Sequence, residues 1–129
     1  MTIAVLDASA LLALLLEEPG ADRVQATLAD AAMTTLNLSE IVGHYARTGV
    51  GEADIRQVLD ALPFERVPFD ESLAYAAGLL LPAVKAVGLS IGDRACLALA
   101  RRLGVPAITA DRAWVGVAAT AGVTVELIR

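Results

Sequence analysis

The segment Ile3–Leu6 is a run of consecutive apolar residues that ends abruptly on Asp7. A strand with one face in water alternates apolar and polar residues, whereas a strand covered on both faces does not. The stretch "TIAVLD", with β-branched Ile3 and Val5, therefore reads as a buried parallel strand with helices on either side. Its polar end poses a problem, because an unpaired buried carboxylate is costly.

The rest of the chain repeats the pattern of short apolar runs alternating with longer helical ones, the signature of a βα-repeating sheet. Helices are expected over Ser9–Leu16, closed by "EEPG", and over "ADRVQATLADA", where Val24 and Leu28 share a face. "MTTLN" reads as the second strand, "LSEIVGHYARTG" as a helix ending at Gly49, and "EADIRQVLDAL" as the next helix. "FERVPF" suits a short edge strand because Pro68 lacks an N–H for the ladder. "DESLAYAAGLLLPAVKAVG" is helical at least to Pro82, with Asp70 as its cap. "SIGDRACLALARRLG" is a helix closed by Gly104, "PAITAD" a strand, "DRAWVGVAATAG" a helix and "VTVELI" a last strand. The expected fold is a single-domain α/β chain over residues 1–129, a three-layer α/β/α sandwich around a central parallel sheet of about five strands. Such open sheets place their sites at the carboxyl ends of the strands.

Composition narrows the function classes. The chain has 129 residues and is 57% hydrophobic, which argues against disorder. Its apolar runs are cut by Asp7, Glu17, Pro82 and Lys85, short of the ~20 residues a spanning helix needs. No basic segment precedes the first apolar run, so no secretory signal is expected. The single cysteine, Cys96, excludes a disulfide framework and a cysteine-built zinc site, and fits a reducing cytoplasm. The net charge of −5 is the wrong sign for a protein that binds nucleic acid through a basic face. It suits no nucleic acid at all, acids gathered around a metal, or a basic partner.

Four acids stand at strand-to-helix junctions or helix entrances: Asp7 and Asp111 after strands, Glu40 in "NLSE" and Asp93 in "SIGD". Each has an ordinary explanation as a helix cap, and "NLSE" and "SIGD" both resemble capping boxes. Capping does not explain the apolar setting of Asp7. Carboxylates gathered at one sheet edge would repel one another unless a cation were present. Hard oxygen ligands suit Mg²⁺ or Mn²⁺, and such ions activate water and stabilise the oxygens of a phosphodiester undergoing cleavage. Ser9 and Thr109, each two residues from an acid, could hold a ligand carboxylate or a bound water, or be plain caps.

"VLDASAL", "NLSE", "LSIGDRACLALA" and "AITADRAW", in this order and spanning essentially the whole chain, resemble the PIN domain. More narrowly, they are similar to the VapC toxins of bacterial toxin–antitoxin pairs. The resemblance implies that Asp7, Glu40, Asp93 and Asp111 are the family's acidic, metal-ligating and catalytic quartet. Asp7 and Asp93 would be the chief ligands, and Asp111 the weakest. Ser9 and Thr109 match its small polar positions, while Asn37 falls at a variable one. It also implies a cytoplasmic Mg²⁺-dependent endoribonuclease, with Mn²⁺ as the alternative ion, that leaves a 5′-phosphate and a 3′-hydroxyl. The expected assembly is a homodimer, inhibited by a small VapB-like antitoxin whose basic side chain enters the acidic site. No membrane partner is implied.

Arg47, Arg94 and Arg112 flank three of the acids and are candidate RNA contacts, with solvated surface arginines as the alternative. His44 shares a helix face with Glu40 and Arg47, and would be a proton donor or substrate contact only with a partner the sequence does not identify. Cys96 reads as a small buried hydrophobe and Trp114 as a packing residue. Two other functions compete. A non-catalytic PIN-like module binding protein or RNA would not need all four acids. A phospho-aspartate domain would want a second acid where Ser9 stands and a strand-end lysine, whereas the one lysine is Lys85.

Overall fold

Strand β1 (Ala4–Leu6) lies at the centre of a five-stranded sheet, paired in parallel with β2 (Ala31–Thr34) on one side and β4 (Ala107–Thr109) on the other. The computed structural model describes all 129 residues. Strand β3 (Glu65–Val67) extends the sheet beyond β2, and β5 (Val125–Leu127) beyond β4. Every pairing is parallel and the order is β3-β2-β1-β4-β5, with "FERVPF" at an edge as expected.

The absence of alternation in the first strand has a direct cause. Side chains of successive strand residues point to opposite faces, and both faces here are covered. Val5 packs with Leu73, Leu97 and Trp114 on one side, while Ala4 and Leu6 pack with Leu11, Ile41 and Phe64 on the other. The first layer is built from α5 (Glu71–Leu79), the short α6 (Leu81–Val84), α7 (Ile91–Leu103) and the short α8 (Ala118–Ala121). The second comes from α1 (Ala8–Leu15), α2 (Ala21–Thr27), α3 (Thr35–Arg47) and α4 (Glu52–Asp60). The three-layer α/β/α sandwich is the architecture the sequence pattern predicts. No helix is long and apolar enough to cross a membrane.

Local caps explain most element boundaries. Asp70 accepts from the Leu73 N–H at 2.9 Å and starts α5. Ser90 and Asp93 form a reciprocal capping box at the start of α7. Gly104, at φ 67°, closes α7 in the left-handed region, where glycine carries no Cβ penalty.

Three expectations are corrected. The second strand is Ala31–Thr34, two residues earlier than "MTTLN", because the helix predicted to run through Ala31 gives way to a 3₁₀ turn over Leu28–Asp30. "NLSE" is not a capping box. Thr34 caps α3 by accepting the Asn37 N–H at 3.1 Å, so Glu40 lies well inside the helix rather than at its entrance. "DRAWVGVAATAG" forms a 3₁₀ segment over Arg112–Val117 before the short α8, rather than one α-helix.

Candidate functional site

The strand order reverses between β1 and β4, since the chain steps from β1 outward to β3 and returns to the other side at β4. A crevice outside the carboxyl ends of such neighbours is where open α/β sheets bind ligands. Asp7 follows the last residue of β1, and Thr109 is the last residue of β4.

Asp7 is only 3% exposed. Its Oδ1 accepts the Ala10 N–H at 2.9 Å and the Ser9 hydroxyl at 2.8 Å, and so it caps α1. Its Oδ2 accepts the Thr109 hydroxyl at 2.7 Å, and the Ser9 hydroxyl is also within 3.0 Å. Both hydroxyls are in turn held by the main chain: Ala110 N–H donates to Ser9 and Asp111 N–H donates to Thr109, each at 3.0 Å. Neutral donors alone do not offset the burial of the charge. Desolvation pushes the Asp7 carboxyl up from 3.8 to about 6; the hydrogen bonds from Ala10, Thr109 and Ser9 oppose the rise, and the nearby charge of Asp93 adds to it.

Asp93 is the third helical residue of α7, and one of its oxygens accepts the Ser90 N–H at 3.0 Å. Glu40 approaches the same turn from α3. Partial burial raises its carboxyl above the ordinary range, the Asn37 amide opposes this, and the charge of Asp93 adds to it. The Cys96 thiol is fully buried and held well above its ordinary value by that burial, then by the charges of Asp7, Asp93 and Glu40. Cys96 thus lies within reach of three of the four expected acids. It is a packed hydrophobe rather than a thiolate nucleophile, which would need a lowered pKa.

Asp111 is exposed, and its Oδ1 accepts the Ala113 N–H at 3.0 Å, capping the 3₁₀ segment. The charge of Asp93 thus acts on both Asp7 and Glu40, while Asp111 is exposed to solvent at the rim. No three acidic, histidine or cysteine side chains stand close enough to grip one ion as a ready-made cage. The donor chemistry nevertheless fits a hard divalent cation. Mg²⁺ keeps several waters and takes only one or two carboxylates from the protein. The three ion pairs of the chain, Arg23–Glu126, Arg56–Glu52 and Arg129–Glu18, involve none of the four acids, so none of them is paired with a side-chain cation.

The flanking cations differ in freedom. Arg47 and Arg112 are exposed. Arg94 is half-buried and donates to the Ala77 carbonyl on α5 at 3.1 Å. His44 Nδ1 lies 3.4 Å from the Arg47 guanidinium, and its ring stands edge-on to Tyr45. Trp114 is fully buried in the core, as expected of a packing residue.

Sequence reasoning gave little weight to Asn37 and none to Gly92. Asn37 is 1% exposed; its amide donates to Glu40 Oε1 and to the Gly92 carbonyl, both at 2.9 Å. No spacing rule marks such a bridge, because its two ends lie on different helices.

The family profile described as PIN domain matches residues 4–119. No curated protein sequence matches the chain. Among solved structures, the chain is similar to the DNA-bound VapBC from Salmonella typhimurium, at a TM-score of 0.76 and 15% identity with 100% of both chains covered. It is also similar to a toxin–antitoxin complex from Klebsiella pneumoniae, at 0.73 and 20% identity over 98% of each chain. VapBC-5 from Mycobacterium tuberculosis aligns at 0.57 and 22% identity, over 100% of this chain and 99% of that one.

Proposed function

This chain belongs to the PIN domain family, and on that footing we propose that it is a metal-dependent endoribonuclease, the toxin of a toxin–antitoxin pair. The observation that carries the reading is Asp7. A carboxylate buried at the strand-order reversal, pushed up to about 6, under the charge of Asp93 and paired with no side-chain cation, is unfavourable unless a positive ion joins it. Asp7 and Asp93 are the proposed principal ligands, with Glu40 beside them and Asp111 contributing from the rim. Mg²⁺, or Mn²⁺ in its place, would supply charge neutralisation and Lewis-acid activation of water.

The chain's own groups then orient the site. Ser9 and Thr109 fix both oxygens of Asp7, and their main-chain donors fix the hydroxyls. Positioned carboxylates lose little ordering entropy when the substrate arrives, which is where a rigid strand end serves catalysis. Arg47 and Arg112 are the proposed contacts to RNA phosphates, and Arg94 a lesser one. Products would carry a 5′-phosphate and a 3′-hydroxyl.

The partner reading rests on the structural neighbours, whose descriptions are of VapBC and toxin–antitoxin complexes. We propose a small VapB-like antitoxin for this chain, with a basic side chain that neutralises the acidic site, a homodimeric assembly, and action in the cytoplasm. The net charge of −5 suits such a partner.

The deciding experiment incubates purified protein with RNA in Mg²⁺, in Mn²⁺ and in EDTA, alongside Asp7→Asn and Asp93→Asn. Cleavage in either metal that is lost in EDTA and in both variants supports the assignment; full activity in either variant overturns it. The engagement of Asp93 and Asp111 as caps favours a second reading, a non-catalytic PIN-like binding module. Calorimetric titration with Mn²⁺ separates the two, because a pure binding module need not take up metal.

A further inference from the structure

Glycine in the first turn of a helix costs conformational entropy, and Gly92 has no positive φ to require it. Space is the reason the structure offers. A Cβ added at Gly92 would lie 2.4 Å from Glu40 Oε1, 2.7 Å from its Cδ and 2.8 Å from Oε2, so the carboxylate of Glu40 occupies the place a side chain would fill.

The same carboxylate is gripped from its own helix. Asn37 is buried, and its Oδ1 accepts the Thr34 hydroxyl while its Nδ2 gives one hydrogen to Glu40 Oε1 and the other to the Gly92 carbonyl. These partners leave the amide one orientation. Turned over, its oxygen would face a carboxylate and a carbonyl, both acceptors. Thr34 is also the cap of α3, so the end of β2, the first turn of α3 and the first turn of α7 meet on this one amide.

We propose that Asn37 and Gly92 are positioning residues for Glu40: the amide pulls its carboxylate toward the first turn of α7, and the missing side chain at residue 92 leaves the seat it occupies. The pair would set how Glu40 stands beside Asp93, and through Glu40 the affinity of the site for a divalent ion. This rests on the reading of Glu40 as part of the metal site. The alternative is a purely structural tie between α3 and α7.

Two substitutions separate these. Gly92→Ala fills the seat while favouring the helix, and Asn37→Ala removes the amide. The first readout is nuclear magnetic resonance of the metal-free protein, on the Asn37 side-chain NH₂ group. Glu40→Gln and Gly92→Ala should each move its resonances; unchanged resonances in both overturn the proposal. The second is Mn²⁺ affinity by calorimetry. Each single variant should bind about tenfold more weakly, as loss of a partner behind a ligand commonly causes. In a Glu40→Gln background neither should weaken it further. Equal losses in both backgrounds would make Asn37 and Gly92 structural only, and wild-type affinity in both singles would likewise overturn the proposal. If the parent protein cleaves no RNA, the functional reading fails alone, and the amide resonances still decide whether this pair holds Glu40.

Discussion

Thr109 Oγ1 donates to Asp7 Oδ2 at 2.7 Å, although the two residues are separated by 102 positions in the chain. The bond spans the two strands between which the sheet reverses its order, and it orients the acid that burial makes least comfortable. The affinity of the site for a cation depends on how that carboxylate is held and what relieves it.

Asp7 should weaken the metal-free protein as pH rises. A carboxyl whose pKa is higher in the folded state than in the unfolded chain favours folding while protonated. That contribution is fully present below 3.8 and is lost as pH passes through about 6. The rise corresponds to about 3 kcal/mol at neutral pH. Asp7→Asn keeps the shape, and its amide can donate to the Ser9 and Thr109 hydroxyls. The variant should therefore be more stable than the parent at pH 7 in EDTA and level with it near pH 4. Urea unfolding at the two pH values checks this; a variant no more stable than the parent at pH 7 would contradict it.

Thr109→Val is nearly isosteric and removes one hydroxyl from between Asp7 Oδ2 and the Asp111 N–H. A hydrogen bond to a charged group contributes about 2 kcal/mol, so a loss of that order is expected at pH 7. The loss should shrink below pH 5, where Asp7 is protonated in the folded state. Catalytic activity should fall as well, because Asp7 would lose the donor that fixes its second oxygen. Parallel unfolding curves and RNA cleavage rates test both halves.

Metal should reverse the cost of burying the Asp7 charge. Mn²⁺ at a hundred times its Kd would stabilise the folded chain by about 2.7 kcal/mol, and EDTA should abolish the gain. Asp93→Asn should remove most of it, since the charge of Asp93 acts on Asp7, Glu40 and Cys96. Asp111→Asn should remove little, because that carboxylate is exposed and committed to the Ala113 N–H. Thermal melting with and without Mn²⁺ orders the variants; an equal loss in both would place Asp111 on a par with Asp93.

The parts of this site that follow chain-local rules were legible in the sequence. Asp7 announced itself by ending an apolar run, and the Ser90–Asp93 capping box follows a four-residue spacing. Burial on both faces of β1 was visible as a lack of alternation. The start of α3 is ambiguous in the sequence because Thr34 and Asn37 are both good caps by type. Only the packing of Asn37 against Gly92 shows that its side chain is spent between helices. The capping bond of Asp111 to Ala113 also depends on a 3₁₀ turn that residue spacing does not mark. Local chemistry picks out the acids as candidates, and tertiary contacts set what surrounds each of them.

The arginines beside the acids should divide by what their guanidinium groups touch. Arg47 and Arg112 are exposed; Arg112 has no hydrogen-bonded partner, and Arg47 has only the 3.4 Å approach to His44. Replacing either by Ala should leave the melting temperature unchanged and weaken RNA binding, reducing the salt dependence of log K by about one for each phosphate no longer neutralised. Arg94 donates to the Ala77 carbonyl and keeps its Nε buried without a partner. Arg94→Ala removes both a tie between α7 and α5 and a buried donor that nothing satisfies, two effects of opposite sign on stability. Its salt slope should change little, because one guanidinium nitrogen is already committed to the protein. Binding measured across a salt series, beside melting curves, separates the groups. A slope change for Arg94→Ala as large as that for Arg47→Ala would show that its guanidinium swings out to meet the phosphate.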